Sequence, residues 1–191
     1  MFARRLVLAT LIAAASFSAQ AAEKYDIDPT HTQVQFTYNH MGFSNITGRF
    51  DEVQGEFLFD AADPTQSSVS ITIPVASLST GVAKLDEHLL KADFFDATQF
   101  PTATFKSTAV TAAGEGKLDV AGELTIHGVT RPLVLAVTIN GVGEHPMRKV
   151  AAAGFDATAR IKRSDFGVGA YVPAVGDEIT LSITVEAHKS K

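Results

Sequence analysis

The chain has 191 residues, with 16 Lys plus Arg against 21 Asp plus Glu and a formal net charge of −5 at pH 7. An acidic surface of this kind repels nucleic acid and anionic lipid headgroups at long range. Cysteine is absent, which excludes disulfides, thiol catalysis, thiolate metal sites and a lipid anchor built on an N-terminal thiol.

Residues 1–21 read as a cleavable secretory signal. Arg4 and Arg5 precede an apolar run from Leu6 to Ala15, and small residues follow, ending in Ala19-Gln20-Ala21. The run is well short of the ~20 residues that a spanning helix needs. The pattern therefore predicts cleavage after Ala21 and a soluble periplasmic product comprising residues 22–191, a single domain with no integral membrane segment. Losing Arg4 and Arg5 leaves 14 basic against 21 acidic residues, a net charge of −7.

From Gln33 onward the apolar residues recur with a period close to two, the signature of strands with one buried face. Val34, Phe36, Tyr38 and His40 form the first segment. Ile46, Gly48 and Phe50 then carry one phase and Val53, Gly55, Phe57 and Phe59 the other, which places a bulge near Asp51-Glu52. Val69 to Val75 forms a third segment. Between Thr80 and Ala92 the spacing turns helical, with Val82, Leu85, Leu89 and Ala92 on one stripe and Glu87 four residues before Lys91. Alternation resumes over Ala103–Ser107, Leu118–Ile126, Leu133–Ile139, Ala153–Ile161 and Ile179–Val185. Turn chemistry separates the segments, as in Asp60-Ala61-Ala62-Asp63-Pro64, Ala113-Gly114-Glu115-Gly116, His127-Gly128-Val129-Thr130 and Asn140-Gly141-Val142-Gly143.

The predicted fold is all-β, with eight antiparallel strands and a short helical insertion between strands 3 and 4. Closure into an up-and-down barrel removes both free edges, and a two-sheet sandwich is the alternative. Gly48, Gly55, Gly122, Ala153, Ala157 and Ala159 share faces with large rings. Those small residues either leave a cavity or let opposing rings interdigitate in a solid core, and the pattern favours neither.

Catalytic signatures are missing: there is no G-x-S-x-G elbow, P-loop, dinucleotide glycine pattern or H-E-x-x-H. The six histidines show no pair at i, i+4 or i, i+2 spacing, so no metal or other cofactor is expected. Most carboxylates fall in turns, where Asp satisfies local backbone donors.

Four motifs occur in register: Tyr25-x-Ile27-Asp28-x-x-His31; Ala92-Asp93-Phe94-Phe95-Asp96 leading to Phe100-Pro101-x-x-x-Phe105; Gly122 to Pro132; and Gly154-Phe155 with Ile161 to Gly167. Together they closely resemble the YceI-like family of bacterial periplasmic proteins, over essentially the whole mature chain. The resemblance implies a lipocalin-like barrel whose elongated apolar interior binds long-chain amphiphiles, chiefly polyprenyl phosphates or isoprenoid quinones. One departure is visible: the family often has a basic residue before the Asp-x-His-Leu step, and here Leu85 precedes Asp86-Glu87-His88-Leu89.

Strand phase assigns Val34, Phe36, Tyr38, Phe50, Phe57, Ile71, Ile73, Phe105, Leu124, Leu135, Phe155 and Ile183 to the ligand lining, and His40, Phe43, Arg163 and Tyr171 to the mouth. Arg163 has a second reading as half of a surface ion pair, since Lys162 and Asp165 lie beside it. Three functions follow from these readings. The first is a non-catalytic carrier of an isoprenoid or other amphiphilic lipid. The second is a lipid-modifying enzyme using the same barrel, and the third a stress protein with a filled barrel. The pattern leaves monomer and homodimer open.

Overall fold

The computed structural model describes residues 22–191; the expected signal, residues 1–21, lies outside them. Eleven strands form one antiparallel sheet. In chain order they are β1 (Glu23–Ile27), β2 (Gln33–His40), β3 (Ser44–Phe50), β4 (Gln54–Phe59), β5 (Ser68–Pro74), β6 (Leu78–Ser79), β7 (Thr102–Gly114), β8 (Lys117–Ile126), β9 (Val129–Glu144), β10 (Ala151–Lys162) and β11 (Glu178–Lys189), with one helix, α1 (Ala83–Leu89), between β6 and β7.

The short strands pair end to end, which reduces the eleven to eight barrel positions. Both β1 and β2 lie antiparallel to β11, β1 beside Ala187 to Lys189 and β2 beside Thr180 to Thr184. They also pair with β4 and β3 respectively, which in turn pair with β5 and β6. From β5 the order runs β7, β8, β9, β10, β11. Neighbours in sequence are therefore neighbours in space all the way round, and the first position meets the last. The sheet is a closed, eight-position up-and-down barrel, so the sandwich alternative is set aside.

The change of phase near Asp51-Glu52 is where β3 gives way to β4, and it lets one barrel position bend. Other expectations are corrected. Strand β1 is too short for its alternation to stand out, yet Tyr25 is 3% exposed in the core. Asn140 to Gly143 are not a connection: β9 continues to Glu144, with Gly141 paired to Gly154 and Gly143 to Ala152. Extended glycines with a long partner strand stay in the ladder, and the reversal falls at 145–150. Val82 does not share the helical stripe, because it precedes α1 in extended conformation and is 56% exposed. The turn at His127-Gly128 is as predicted, with φ of 51° and 72° between the paired Ile126 and Val129, the two left-handed residues a tight hairpin needs.

An aromatic cluster packs one end of the barrel. Phe155 meets Phe57 and Phe59 edge to face at 5.2 and 5.3 Å, and Tyr25 meets Phe59 at 5.6 Å. Such pairs add ~0.5–1.5 kcal/mol each beyond their burial. At this end a polar network locks β1 to β11 and to the 145–150 turn. The buried Asp28 accepts hydrogen bonds from the Thr30 backbone N–H and hydroxyl and lies 3.3 Å from the Arg148 guanidinium and 3.2 Å from His31 Nδ1. The Thr30 hydroxyl, helped by the Thr30 amide, His31 and Arg148, outweighs burial and holds the Asp28 carboxyl well below the usual carboxylate range.

A depressed native pKa contributes stability above the unfolded value of ~3.9, and that contribution is lost as pH falls through the native value. Asp28→Asn is expected to destabilise by about 2 kcal/mol at neutral pH. Thermal melts of both proteins should begin to converge as pH falls below about 4 and meet only in stronger acid, below the native value; a difference that stays constant into strong acid would show that the charge contributes nothing.

Candidate ligand-binding site

Between the aromatic end and the opposite rim the barrel encloses a cavity of about 490 Å³, within the ~300–1,000 Å³ usual for ligand pockets. It exists because side chains of one strand phase point inward and several are small. Gly48 and Gly122 let the Phe36 and Phe105 rings lie across the neighbouring strand, where a Cβ would collide with them. The rings thus flatten against the wall instead of filling the lumen. Both earlier readings of the small residues hold in part, since they admit rings and space remains.

Val34, Phe36, Tyr38, Phe50, Phe57, Ile71, Ile73, Phe105, Leu124, Leu135, Phe155 and Ile183 all border the cavity, together with His40, Arg163 and Tyr171. Phe43 does not: it is 92% exposed at the tip of the β2–β3 hairpin, where strand phase no longer determines direction. The cavity also takes side chains the phase argument passed over. Leu85 and Leu89 of α1, Phe94 and Phe95 from the following loop, and Phe166, Val168 and Val175 from the loop between β10 and β11 close over its rim. Their positions depend on turns, which carry no period. Phe95 packs on Phe50 at 5.9 Å, and Phe94 bridges His88 and Tyr171 at 4.9 and 6.1 Å. Met41 and Tyr171 border the cavity while 49% and 58% exposed, which identifies this rim as the mouth.

Arg163 is no surface ion pair. It is buried at the mouth, where Nε donates to the Gly176 carbonyl (2.9 Å) and the terminal nitrogens to Val168 (2.6 Å) and Val175 (3.0 Å). Asp177 sits behind it, accepting from the Ser164 amide and hydroxyl at 2.9 and 2.8 Å. Burial lowers the Arg163 pKa, while Asp177 and Tyr38 favour its charged form. Burial likewise pushes the Tyr38 phenol up, opposed by the Arg163 charge. The guanidinium therefore ties the 163–177 loop together, placing one positive charge beside an otherwise apolar lumen.

A second group of titratable residues lies at the aromatic end: His145, Glu186 and His188 have ligand-type atoms within 4.8 Å of one another. Sequence spacing links only Glu186 and His188, two residues apart on β11, and the 145–150 turn brings His145 across to them. Its hydrogen bonds decide its character. The Met147 and Arg148 amides donate to His145 Nδ1, and the Arg148 guanidinium, a donor only, faces His188 Nδ1 at 3.0 Å. In the neutral rings both Nε2 atoms then carry protons, and both face Glu186 Oε1, at 3.4 and 2.8 Å. With no imidazole lone pair aimed at the carboxylate, the group is a hydrogen-bonded lock.

This combination of closed barrel, helical cap and apolar lumen matches a known family: residues 25–187 fit the model of the YceI-like domain. The chain belongs to that family. Relatives of this YceI-like chain include a UPF0312 protein of Pseudomonas putida strain W619, 38% identical over 97% of this chain and 96% of the relative. A UPF0312 protein of Vibrio cholerae serotype O1 is 43% identical over 80% of each. Among solved structures, BcnA of Burkholderia cenocepacia superposes with a TM-score of 0.77 at 31% identity, covering 84% of this chain and 99% of BcnA. The YceI protein of Campylobacter jejuni gives 0.74 at 32%, over 80% and 90%. A polyisoprenoid binding domain from Saccharophagus degradans shares the fold at 0.67 and 14% identity, over 88% and 99%.

The family motifs are mainly architectural in this YceI-like chain. Asp28 and His31 belong to the lock at the packed end, His127 packs against Phe100 with tilted rings 4.3 Å apart, and Gly122 makes room for Phe105.

Proposed function

We propose that this chain is a periplasmic binding and carrier protein for a long-chain isoprenoid or related amphiphilic lipid, such as a polyprenyl phosphate or isoprenoid quinone, held without catalysis. The observation that carries the reading is a predominantly apolar lumen of about 490 Å³, open at a rim that includes His40, Arg163 and Tyr171. The tail occupies the lumen and the polar end lies at the rim. The name of the Saccharophagus degradans relative points the same way. Strands of about eight residues tilted ~40° give a tube about 20 Å long. A tail filling it buries about a dozen carbons at ~0.8 kcal/mol each, close to 10 kcal/mol before association costs.

Catalysis would need converging acid, base or nucleophile groups in the lumen. No carboxylate occurs among the described lining residues, the Thr32 and Ser67 hydroxyls are hydrogen-bonded to backbone groups, and the buried Arg163 is engaged by three backbone carbonyls. Residues 1–21 act as the export signal. Among the described residues no helix is long and apolar enough to cross a membrane. Protein recovered from the osmotic-shock fraction is expected to begin at Ala22, and recovery only with the membranes, Met1 attached, would contradict the localisation. Titration with a homologous prenyl series tests the ligand class: affinity should rise with chain length and then level off.

A further inference from the structure

Two loops frame the mouth, and both are unusual for an acidic chain. The hairpin tip after β2 exposes Met41 and Phe43, and the loop between β10 and β11 exposes Tyr171 and Val172. The two are joined: the Gly176 amide donates to the Asn39 carbonyl at 2.8 Å and His40 bridges to Val175. No Asp, Glu, Lys or Arg occurs from Pro29 to Gly48 or from Phe166 to Gly176, although the chain as a whole is 19% charged. The result is one uncharged platform with protruding apolar side chains, continuous with the lumen through Met41 and Tyr171.

We propose that this platform docks the mouth onto a phospholipid bilayer surface, so that a lipid tail passes between membrane and barrel without crossing water. The proposal rests on the lipid-carrier reading for its purpose but not for its test. Two observations choose a bilayer as occupant. The exposed rings lead directly into an apolar lumen, so whatever covers them faces the path of the ligand. Both loops of the platform also lack carboxylates, so their tips approach a membrane with little of the chain's electrostatic penalty. The carboxylates of α1, Asp86 and Glu87, limit docking to shallow contact of the loop tips, and Asp86 is already engaged by the Thr80 amide and hydroxyl.

The test is flotation with phosphatidylcholine vesicles, comparing the protein as purified from its producing cells with Phe43→Ser in the same processed form. Phe43 is almost fully exposed and outside the lumen, so its replacement leaves the fold in place. Partition onto vesicles is expected to fall about tenfold or more in the variant, the range that losing one buried ring implies. Transfer of a fluorescent prenyl probe from loaded protein should speed up in proportion to vesicle concentration and slow by the same factor in Phe43→Ser, with equilibrium probe affinity unchanged. Absence of flotation, flotation insensitive to Phe43→Ser, transfer independent of vesicle concentration, or sedimentation showing that the platform instead joins two copies of the chain would each overturn the proposal. If no prenyl probe binds while flotation still depends on Phe43, the carrier reading fails and the docking surface stands.

Discussion

Ala157→Phe is expected to weaken binding of the longest prenyl chains by about 100-fold or more while leaving short chains nearly unaffected. Ala157 sits in mid-barrel, paired with Val137 on β9 and Ile183 on β11, and borders the lumen. A benzyl group there projects into open space and displaces about four methylenes of ligand, about 3 kcal/mol or two orders of magnitude in affinity. Because the ring enters a cavity and not a filled core, the overpacking penalty should stay within ~1–3 kcal/mol. The measurement is a prenyl-length series titrated against both proteins. The plateau should move to shorter chains in the variant, and a folded variant with unchanged length dependence would place the ligand elsewhere.

Gly122→Ala is expected to lower stability by about 2–3 kcal/mol, the cost of forcing atoms into a packed wall. A Cβ at Gly122 would stand 2.5 Å from the Lys106 carbonyl oxygen and from the Phe105 ring. The ring could turn into the lumen, but the carbonyl belongs to the β7–β8 ladder and could not move without breaking it. Gly154 is the matched control, since the nearest atoms to a Cβ there are Asn140 Cβ at 3.8 Å and the Val185 carbonyl at 3.9 Å. Thermal unfolding should show Gly122→Ala melting ~5–10 °C lower and Gly154→Ala close to the parent. Equal shifts at both positions would mean that crowding by the Lys106 carbonyl and the Phe105 ring does not set the need for glycine at Gly122.

The strands and the wall of the lumen were legible in the sequence because period-two alternation states directly which side chains share a face. Phe36, Phe105, Leu124 and Ile183 follow from it. The phase argument stops where strands stop. Phe43, expected at the mouth, is turned out to solvent by the hairpin, and Met41 borders the cavity there instead. Strand phase passed over Phe94, Phe166 and Val175, whose loops are shaped by the Arg163 hydrogen bonds and by packing against α1. Arg163 itself was ambiguous for a physical reason: an arginine beside Lys162 and Asp165 looks solvated until the carbonyls that surround it are placed. The lock of Asp28, His145, Glu186 and His188 was invisible as a unit because Asp28 and His145 lie far in the chain from the Glu186-Ala187-His188 stretch. The Tyr25-x-Ile27-Asp28-x-x-His31 motif nevertheless marked Asp28, together with His31 beside it.

The central claim, that the lumen holds an amphiphilic lipid in the cell, is tested most directly by native mass spectrometry of the protein purified from its own host without detergent. The expected folded mass exceeds the polypeptide by one molecule of a prenyl-chain lipid, released on denaturation and identified by fragmentation. A folded protein carrying only its polypeptide mass, in a preparation that also takes up no added prenyl lipid, would contradict it.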